Sequence, residues 1–202
     1  SITGYTVTSS PGGKTGTGSS SPITVPGLTN GTTYTFTVTA TNSVGYGSAS
    51  AASNSVTPKG SQTITFSPIA DQNFGTTPTL SATASSGLAV KFSCSTPDTA
   101  TVDENTGALT FLKAGPVTIN ADQAGNGTYA AATTVSQSFT VNPVLPGKPT
   151  IGTATAGDGK ATVSFTVAAS NGGAEITEYT VTSSDGKTVT GTESQITVKG
   201  LA

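Results

Sequence analysis

The chain has 202 residues, eight lysines against ten acidic residues for a formal net charge of −2, and no His, Met or Trp. Arg is absent too and the lysines are scattered singly from Lys14 to Lys199, which excludes a nucleic-acid partner because phosphate contacts need clustered cations. Lack of His removes Ser-His-Asp and Cys-His chemistry, and no apolar run in the sequence reaches the length of a membrane span.

Only 9% of residues are charged, while Ser and Thr supply about a third of the chain, well above ordinary usage. Thr is β-branched and suits a pleated, half-exposed surface. With 25 Gly and 11 Pro between apolar alternations, the composition predicts an all-β chain with many turns.

From Ser1 to Lys59 the strands alternate. Gly27-Leu28-Thr29-Asn30-Gly31 supplies a turn, and Tyr34 to Thr41 follows with Tyr34, Phe36, Val38 and Ala40 on one face and threonines on the other. That pattern predicts one face on a core and one in water, with Phe36 in the core.

Residues 60–142 have a different rhythm. Thr63–Phe66, then Leu80, Ala82 and Ala84, then Val90, Phe92 and Cys94 read as strands. Thr101-Val102, Ala108–Phe111 after the turn Glu104-Asn105-Thr106-Gly107, Val117–Ile119 and Ser138–Val141 complete about seven, which suits a two-sheet sandwich. This segment is expected to fold alone and without metal. Cys94 is the single cysteine, so no intrachain disulfide exists, and it reads as a small buried apolar residue. Asn142 to Pro149 carries three prolines and predicts a short semi-rigid connection. Ala161–Val167, the turn Asn171-Gly172-Gly173 and Ile176–Val181 follow.

The last stretch repeats the first. Ile2-Thr3-Gly4-Tyr5-Thr6-Val7-Thr8-Ser9-Ser10 returns as Ile176-Thr177-Glu178-Tyr179-Thr180-Val181-Thr182-Ser183-Ser184, an offset of 176 − 2 = 174. Ile23-Thr24-Val25-Pro26-Gly27-Leu28 returns as Ile196-Thr197-Val198-Lys199-Gly200-Leu201, an offset of 196 − 23 = 173. A repeat longer than one domain implies a repeating pair of domains, and such units belong to arrays.

The ends resemble bacterial fibronectin type III repeats. The residues that carry the likeness are the apolar run 161–167 (Phe165 where that family usually has Trp), the strand tyrosines Tyr5 and Tyr179, and the Gly-Leu steps. Tyr34-Thr35-Phe36-Thr37-Val38, then Asn42, Gly45 and Gly47, extend it. In that family Tyr34 would be a corner tyrosine packed near Leu28. The middle resembles bacterial immunoglobulin-like repeats of secreted and surface proteins, through Gln62–Phe66, Leu80–Leu88, Ala121–Asn126 and Gln137–Val141.

The resemblance implies an all-β chain of tandem immunoglobulin-like and fibronectin type III β-sandwiches in an extended array. Residues 1–59 would be the C-terminal part of one fibronectin-like domain, strands C to G. Residues 60–142 would be an immunoglobulin-like domain, and 143–202 strands A to about E of the next fibronectin-like domain. Each end would then leave apolar strand faces uncovered. The polypeptide is therefore expected to continue beyond both ends or to meet further copies head to tail, and the duplicated strands favour continuation.

No catalytic, cofactor-binding or metal-binding residue is expected. Asp103-Glu104 is the one adjacent acidic pair and sits in a polar turn, whereas catalytic pairs need burial. Asp98, Asp103, Glu104 and Asp122 offer oxygens for calcium, but at a spacing that fits no loop motif. A Lys–Asn crosslink would fall to Lys91 or Lys113, and Lys91 faces outward. Asn30-Gly31-Thr32 and Asn126-Gly127-Thr128 fit the N-glycosylation pattern and read chiefly as turns.

The function this implies is a structural module of an extracellular or cell-surface bacterial protein, an adhesin stalk or surface fibre. Its partners would be neighbouring repeats, with a surface or glycan ligand as a further partner. A non-catalytic spacer or carbohydrate-binding region of a secreted polysaccharide-degrading enzyme is the alternative, weakened by the absence of Trp, since sugar platforms use exposed aromatics.

Overall fold

A computed structural model describes residues 1–201, and every regular element in them is a strand. In chain order they are β1 (Ile2–Ser10), β2 (Thr15–Gly18), β3 (Thr35–Asn42), β4 (Ile64–Phe66), β5 (Gln72–Asn73), β6 (Ala82–Ala84), β7 (Lys91–Cys94) and β8 (Ala100–Val102). Then come β9 (Leu109–Phe111), β10 (Gly115–Asp122), β11 (Val135–Asn142), β12 (Thr150–Gly157), β13 (Lys160–Thr166), β14 (Tyr179–Thr182), β15 (Thr188–Gly191) and β16 (Gln195–Lys199). The all-β expectation holds, with most strands where the alternation placed them.

The chain forms two compact units. One comprises Ser1–Thr65, Thr83–Val90 and Asp122–Thr134, and the other Phe66–Ala82, Lys91–Ala121 and the residues from Val135 onward. Residues 60–142 therefore contribute to both.

In the first unit, β2, β1 and β3 form an antiparallel sheet in which Val7 faces Val38 and Ser9 faces Phe36. The segment from Gly47 to Val56 runs along the other edge of β3 without becoming a regular strand. Its backbone N–H groups reach β3 carbonyls at Gly47, Ser50 and Ser53, and at Val56 the Tyr34 carbonyl just before β3. The hydroxyls of Ser50 and Ser53 accept the N–H groups of Val38 and Phe36 at 3.0 Å, each taking the place of a missing carbonyl. A Ser-Ala-rich run without alternation thus serves as a sheet edge.

The second unit holds the sheet β5-β11-β10-β7, with β5 parallel to β11, and the hairpin β8–β9. The period-2 pattern of β10 buries Val117, Ile119 and Ala121 completely, as alternation requires when one face meets a core. Phe66 meets Phe92 edge-on and Phe111 meets Phe139 edge-on, with centroids 5.7 and 6.0 Å apart. The same unit carries the sheet β12-β13-β16 and the hairpin β14–β15. β12 is exposed at every residue and pairs on one side only.

Phe36 departs from expectation. Tyr34 is buried at the base of β3, but Phe36 is only half-buried and Val38 is 39% exposed. The alternation identifies an apolar face correctly, yet burial also needs a second layer opposite it; β1 lies beside β3 in the same sheet, and Ile23 covers the face only in part.

Candidate functional site: two joints and an open sheet face

The site geometry is that of how the segments are joined and of what the sheets leave uncovered. The first joint is internal to the first unit. Gly60 donates its N–H to the Thr128 carbonyl and its carbonyl accepts from Ala130, both at 2.8 Å, while Gly31 donates to the Pro58 carbonyl at 2.8 Å. The Asn126 side chain accepts from the N–H groups of Thr128 and Tyr129 at 2.8 and 2.9 Å and so holds the loop that Gly60 meets. Both Asn-Gly-Thr sites therefore lie at this joint as turns.

Behind it sits a buried amide. Gln62 is 7% exposed, and its Nε2 donates to the Gln123 side chain at 2.9 Å and to the Ala130 carbonyl at 2.7 Å. Ser86 donates to its Oε1, and Gln123 donates onward to the Ala89 carbonyl at 3.1 Å. Replacing Gln62 by Leu keeps the volume but removes the amide donor to the Ala130 carbonyl and the acceptor of the Ser86 hydroxyl, so Gln62→Leu is expected to cost about 2 kcal/mol. Urea unfolding of the full chain measures it, and a neutral result would show that the amide is dispensable. Polar residues flanking strands gave no sign of this network, because pairing across 61 residues has no local pattern.

The second joint is internal to the second unit. Val144 donates its N–H to the Gly172 carbonyl at 2.9 Å and Gly147 to the Ser170 carbonyl at 2.8 Å, which lays the proline-rich connection along the 170–173 turn. The Gly173 carbonyl accepts from Ala114 at 2.7 Å, and the Asn171 side chain accepts the Gly173 N–H at 2.9 Å. The connection is therefore hydrogen-bonded in place as well as stiffened by its prolines.

The acidic candidates for calcium are not brought together, and no group of three or more metal-ligating side chains occurs among the described residues. Asp103 caps its own turn. Its carboxylate accepts the Thr106 N–H at 2.7 Å, the Thr106 hydroxyl at 2.8 Å and the Asn105 N–H at 3.0 Å. Those donors favour the ionised form, the Thr106 N–H most, and hold its pKa below the usual carboxylate range. With the folded value depressed, this stabilisation is present above the unfolded carboxylate's pKa and disappears as pH falls through the folded value. The advantage of wild type over Asp103→Asn is expected at neutral pH and should vanish on acidification, as paired unfolding curves across that range would report. A pH-independent gap would place the turn's stability elsewhere.

Glu104 pairs with Lys91 at 3.0 Å, and Lys91 also reaches the Asn105 side chain. Both charged groups are about half exposed, so the pair contributes little, and a Lys–Asn crosslink lacks the desolvated amine and acid it would need. Asp98 is exposed, and Asp122 accepts from Thr134. Cys94 is half-buried beside the Thr96 hydroxyl at 3.5 Å.

Two clefts mark the uncovered sheet faces. One, of about 490 Å³, is lined by Tyr5, Val7, Ile23 and Val38 with Ser19 to Ser21 at its rim. The other, of about 260 Å³, is lined by Ile151, Val163, Phe165, Tyr179 and Val181 among others, and Ile151 is 76% exposed at its edge. Tyr34 makes the corner contact anticipated for it: its hydroxyl accepts the Thr29 N–H at 3.0 Å, which lowers the phenol's pKa. Asn42 closes the following turn by accepting from Val44 and Gly45 at 2.8 and 3.2 Å.

No helix among the described residues is long and apolar enough to cross a membrane. No curated protein matches the chain. Among solved structures it is similar to the FN1–FN3 domains of chicken CNTN1, at 13% sequence identity over 99% of this chain and 79% of that one, with a TM-score of 0.28. It is also similar to the human Desmocollin-1 ectodomain, at 9% identity over 98% of this chain and 47% of that one, with a TM-score of 0.31. The chain thus spans about half the length of the desmocollin ectodomain. Residues 1–56, which hold Tyr5, the Tyr34 corner and the Asn42 turn, match the model of the fibronectin type III domain.

Proposed function

We propose that the chain is a structural repeat module of an extracellular, cell-surface bacterial protein, a section of an adhesin stalk or surface fibre. The observation that carries this reading is the duplication of Ile2–Leu28 at Ile176–Leu201 together with the fibronectin type III match over residues 1–56. A repeated pair of domains works by holding something at a distance, and what it needs is joints that do not swing. Within each unit, the hydrogen bonds that clamp Gly60 between Thr128 and Ala130, and Val144 and Gly147 onto the 170–173 turn, support this reading by fixing those connecting segments in place. A chain with 9% charged residues and about a third Ser and Thr stays solvated without recruiting charged ligands.

Single-molecule pulling on the full chain, held at both ends, tests the reading. Discrete, reproducible unfolding steps are expected, along with no retention on polysaccharide affinity columns. Featureless extension under load, or specific retention on a glycan, would overturn it, and the second result would favour a carbohydrate-binding region.

A further inference from the structure

Asn-Gly occurs three times, at Asn30-Gly31, Asn126-Gly127 and Asn171-Gly172. With no side chain on the following residue, its backbone nitrogen can approach the asparagine Cγ closely. The three sites differ in what else is in place. The Gly31 N–H is committed to the Pro58 carbonyl at 2.8 Å. The Gly172 N–H donates to the Ser170 hydroxyl at 3.2 Å, and Gly172 is buried. The Gly127 N–H has no acceptor among the described residues, and both Asn126 and Gly127 are exposed.

The asparagine side chains differ as well. Asn126 Oδ1 accepts the N–H groups of Thr128 and Tyr129 at 2.8 and 2.9 Å. The ring closed by the first of these bonds encloses the Gly127 nitrogen, so Cγ is held folded back beside it. Attack on Cγ puts negative charge on Oδ1, and two N–H groups already point at that atom, as in an oxyanion hole. Asn171 Oδ1 has a single backbone donor, the Gly173 N–H at 2.9 Å. Asn42 Oδ1 has two, from Val44 and Gly45, but Ser43 follows it and carries a side chain. Among the described residues only Asn126 combines a bare neighbour, a free nitrogen and paired donors.

We infer that Asn126 is a self-modification site whose conversion to an isoaspartyl link loosens the joint at Gly60. The Gly127 nitrogen gives its proton to a solvent base and bonds to Cγ. The Cγ–Nδ2 bond breaks, Nδ2 takes a proton from water and leaves as ammonia, and a cyclic imide remains. Water then opens the imide at either carbonyl. Opening at Cγ leaves aspartate in a normal backbone. Opening at the main-chain carbonyl routes the backbone through Cγ and lengthens it by one methylene. Water is the only co-reactant.

The longer link falls where the loop has no slack. The Asn126 N–H donates to the Tyr129 carbonyl at 2.9 Å, and a Cβ on Gly125 would stand 2.4 Å from that same carbonyl oxygen. Thr128 and Ala130 of this loop hold Gly60 through bonds of 2.8 Å. In the isoaspartyl form Oδ1 becomes a main-chain carbonyl oxygen, and the loop loses the side-chain acceptor that fixes it.

Incubating the full chain at mildly alkaline pH, followed by site-resolved peptide mass mapping and isoaspartyl labelling, tests it. Asn126 should convert first in the folded chain, well ahead of Asn30 and Asn171, whereas in urea the three should convert at similar rates. Gly127→Ala should suppress the reaction. Gly127 has no left-handed φ and nothing within 4 Å of an added Cβ, so that variant keeps its fold. Ser43→Gly should create a second reactive site at Asn42. In the converted chain the Gly60 and Ala130 amides should lose protection from hydrogen exchange. Asn126→Asp, which adds the charge without lengthening the backbone, should keep that protection. Equal conversion of the three Asn-Gly sites in the folded chain, or a Ser43→Gly chain unreactive at Asn42, would overturn the inference. So would an isoaspartyl link at Asn126 that leaves the protection of Gly60 unchanged.

Discussion

Leu109→Ala is expected to destabilise the chain by about 3–4 kcal/mol, the cost of lost burial plus a cavity that a closed core cannot collapse. Leu109 is 1% exposed on β9, where its N–H donates to the Pro78 carbonyl at 3.0 Å and its strand faces Val102. It lies in the second unit beside the aromatic pairs, with completely buried Val117 and Ile119 in the same core. Leu112, three residues on, is 52% exposed, and Leu112→Ala should fall within about 0.5 kcal/mol of wild type. Phe36→Ala should lie between the two despite its larger side chain, because that ring is only partly buried. Urea midpoints for the three variants check the ranking. Phe36 costing as much as Leu109 would mean that the open face of β3 is covered in solution.

Gly173→Ala is expected to cost about 3 kcal/mol through two separate causes. Gly173 has φ +85°, a left-handed conformation in which a side chain is strained by about 1–2 kcal/mol. An added Cβ would also stand 2.6 Å from the Phe74 ring, closer than real carbons approach, and such overpacking adds about 1–3 kcal/mol. Gly186 is the control: it shares φ +85° and has nothing within 4 Å of an added Cβ, so Gly186→Ala should show the strain alone. Unfolding curves give the difference between the two. Proteolysis of the 143–149 connection should also accelerate in Gly173→Ala, since the hydrogen bond from Ala114 and the 170–173 turn hold that connection in place. Equal costs at both glycines would show that Phe74 does not press on the joint.

Much of the fold was legible because alternation is a local signal. The buried faces of β7, β10 and β11 follow directly from Val90-Phe92, Val117-Ile119-Ala121 and Phe139-Val141, and the turn capped by Asp103 stands where its Gly-ending sequence placed it. The Tyr34 corner was legible through resemblance, and its hydroxyl indeed meets the Thr29 N–H. The joints were not. Gly60 and Gly173 each look like ordinary turn glycines, and what makes them matter is the backbone of the 128–130 loop or a phenyl ring tens of residues away. The Gln62 amide was hidden for the same reason, as was the edge formed by Ser50 and Ser53, whose hydroxyls stand in for backbone carbonyls that no periodicity would reveal.

Ile23-Thr24-Val25 and Ile196-Thr197-Val198 separate the two kinds of information. Their side chains are identical, so β propensity, apolar alternation and the following Gly-Leu step are the same in both, and the sequence by itself determined that they are two copies of one segment. Only the tertiary structure decided that one is a strand and the other is not. A strand's backbone groups are satisfied across a ladder rather than within the segment, so an extended triplet gains its hydrogen bonds only when another strand lies alongside. β13 lies beside Ile196–Val198, and nothing equivalent lies beside Ile23–Val25.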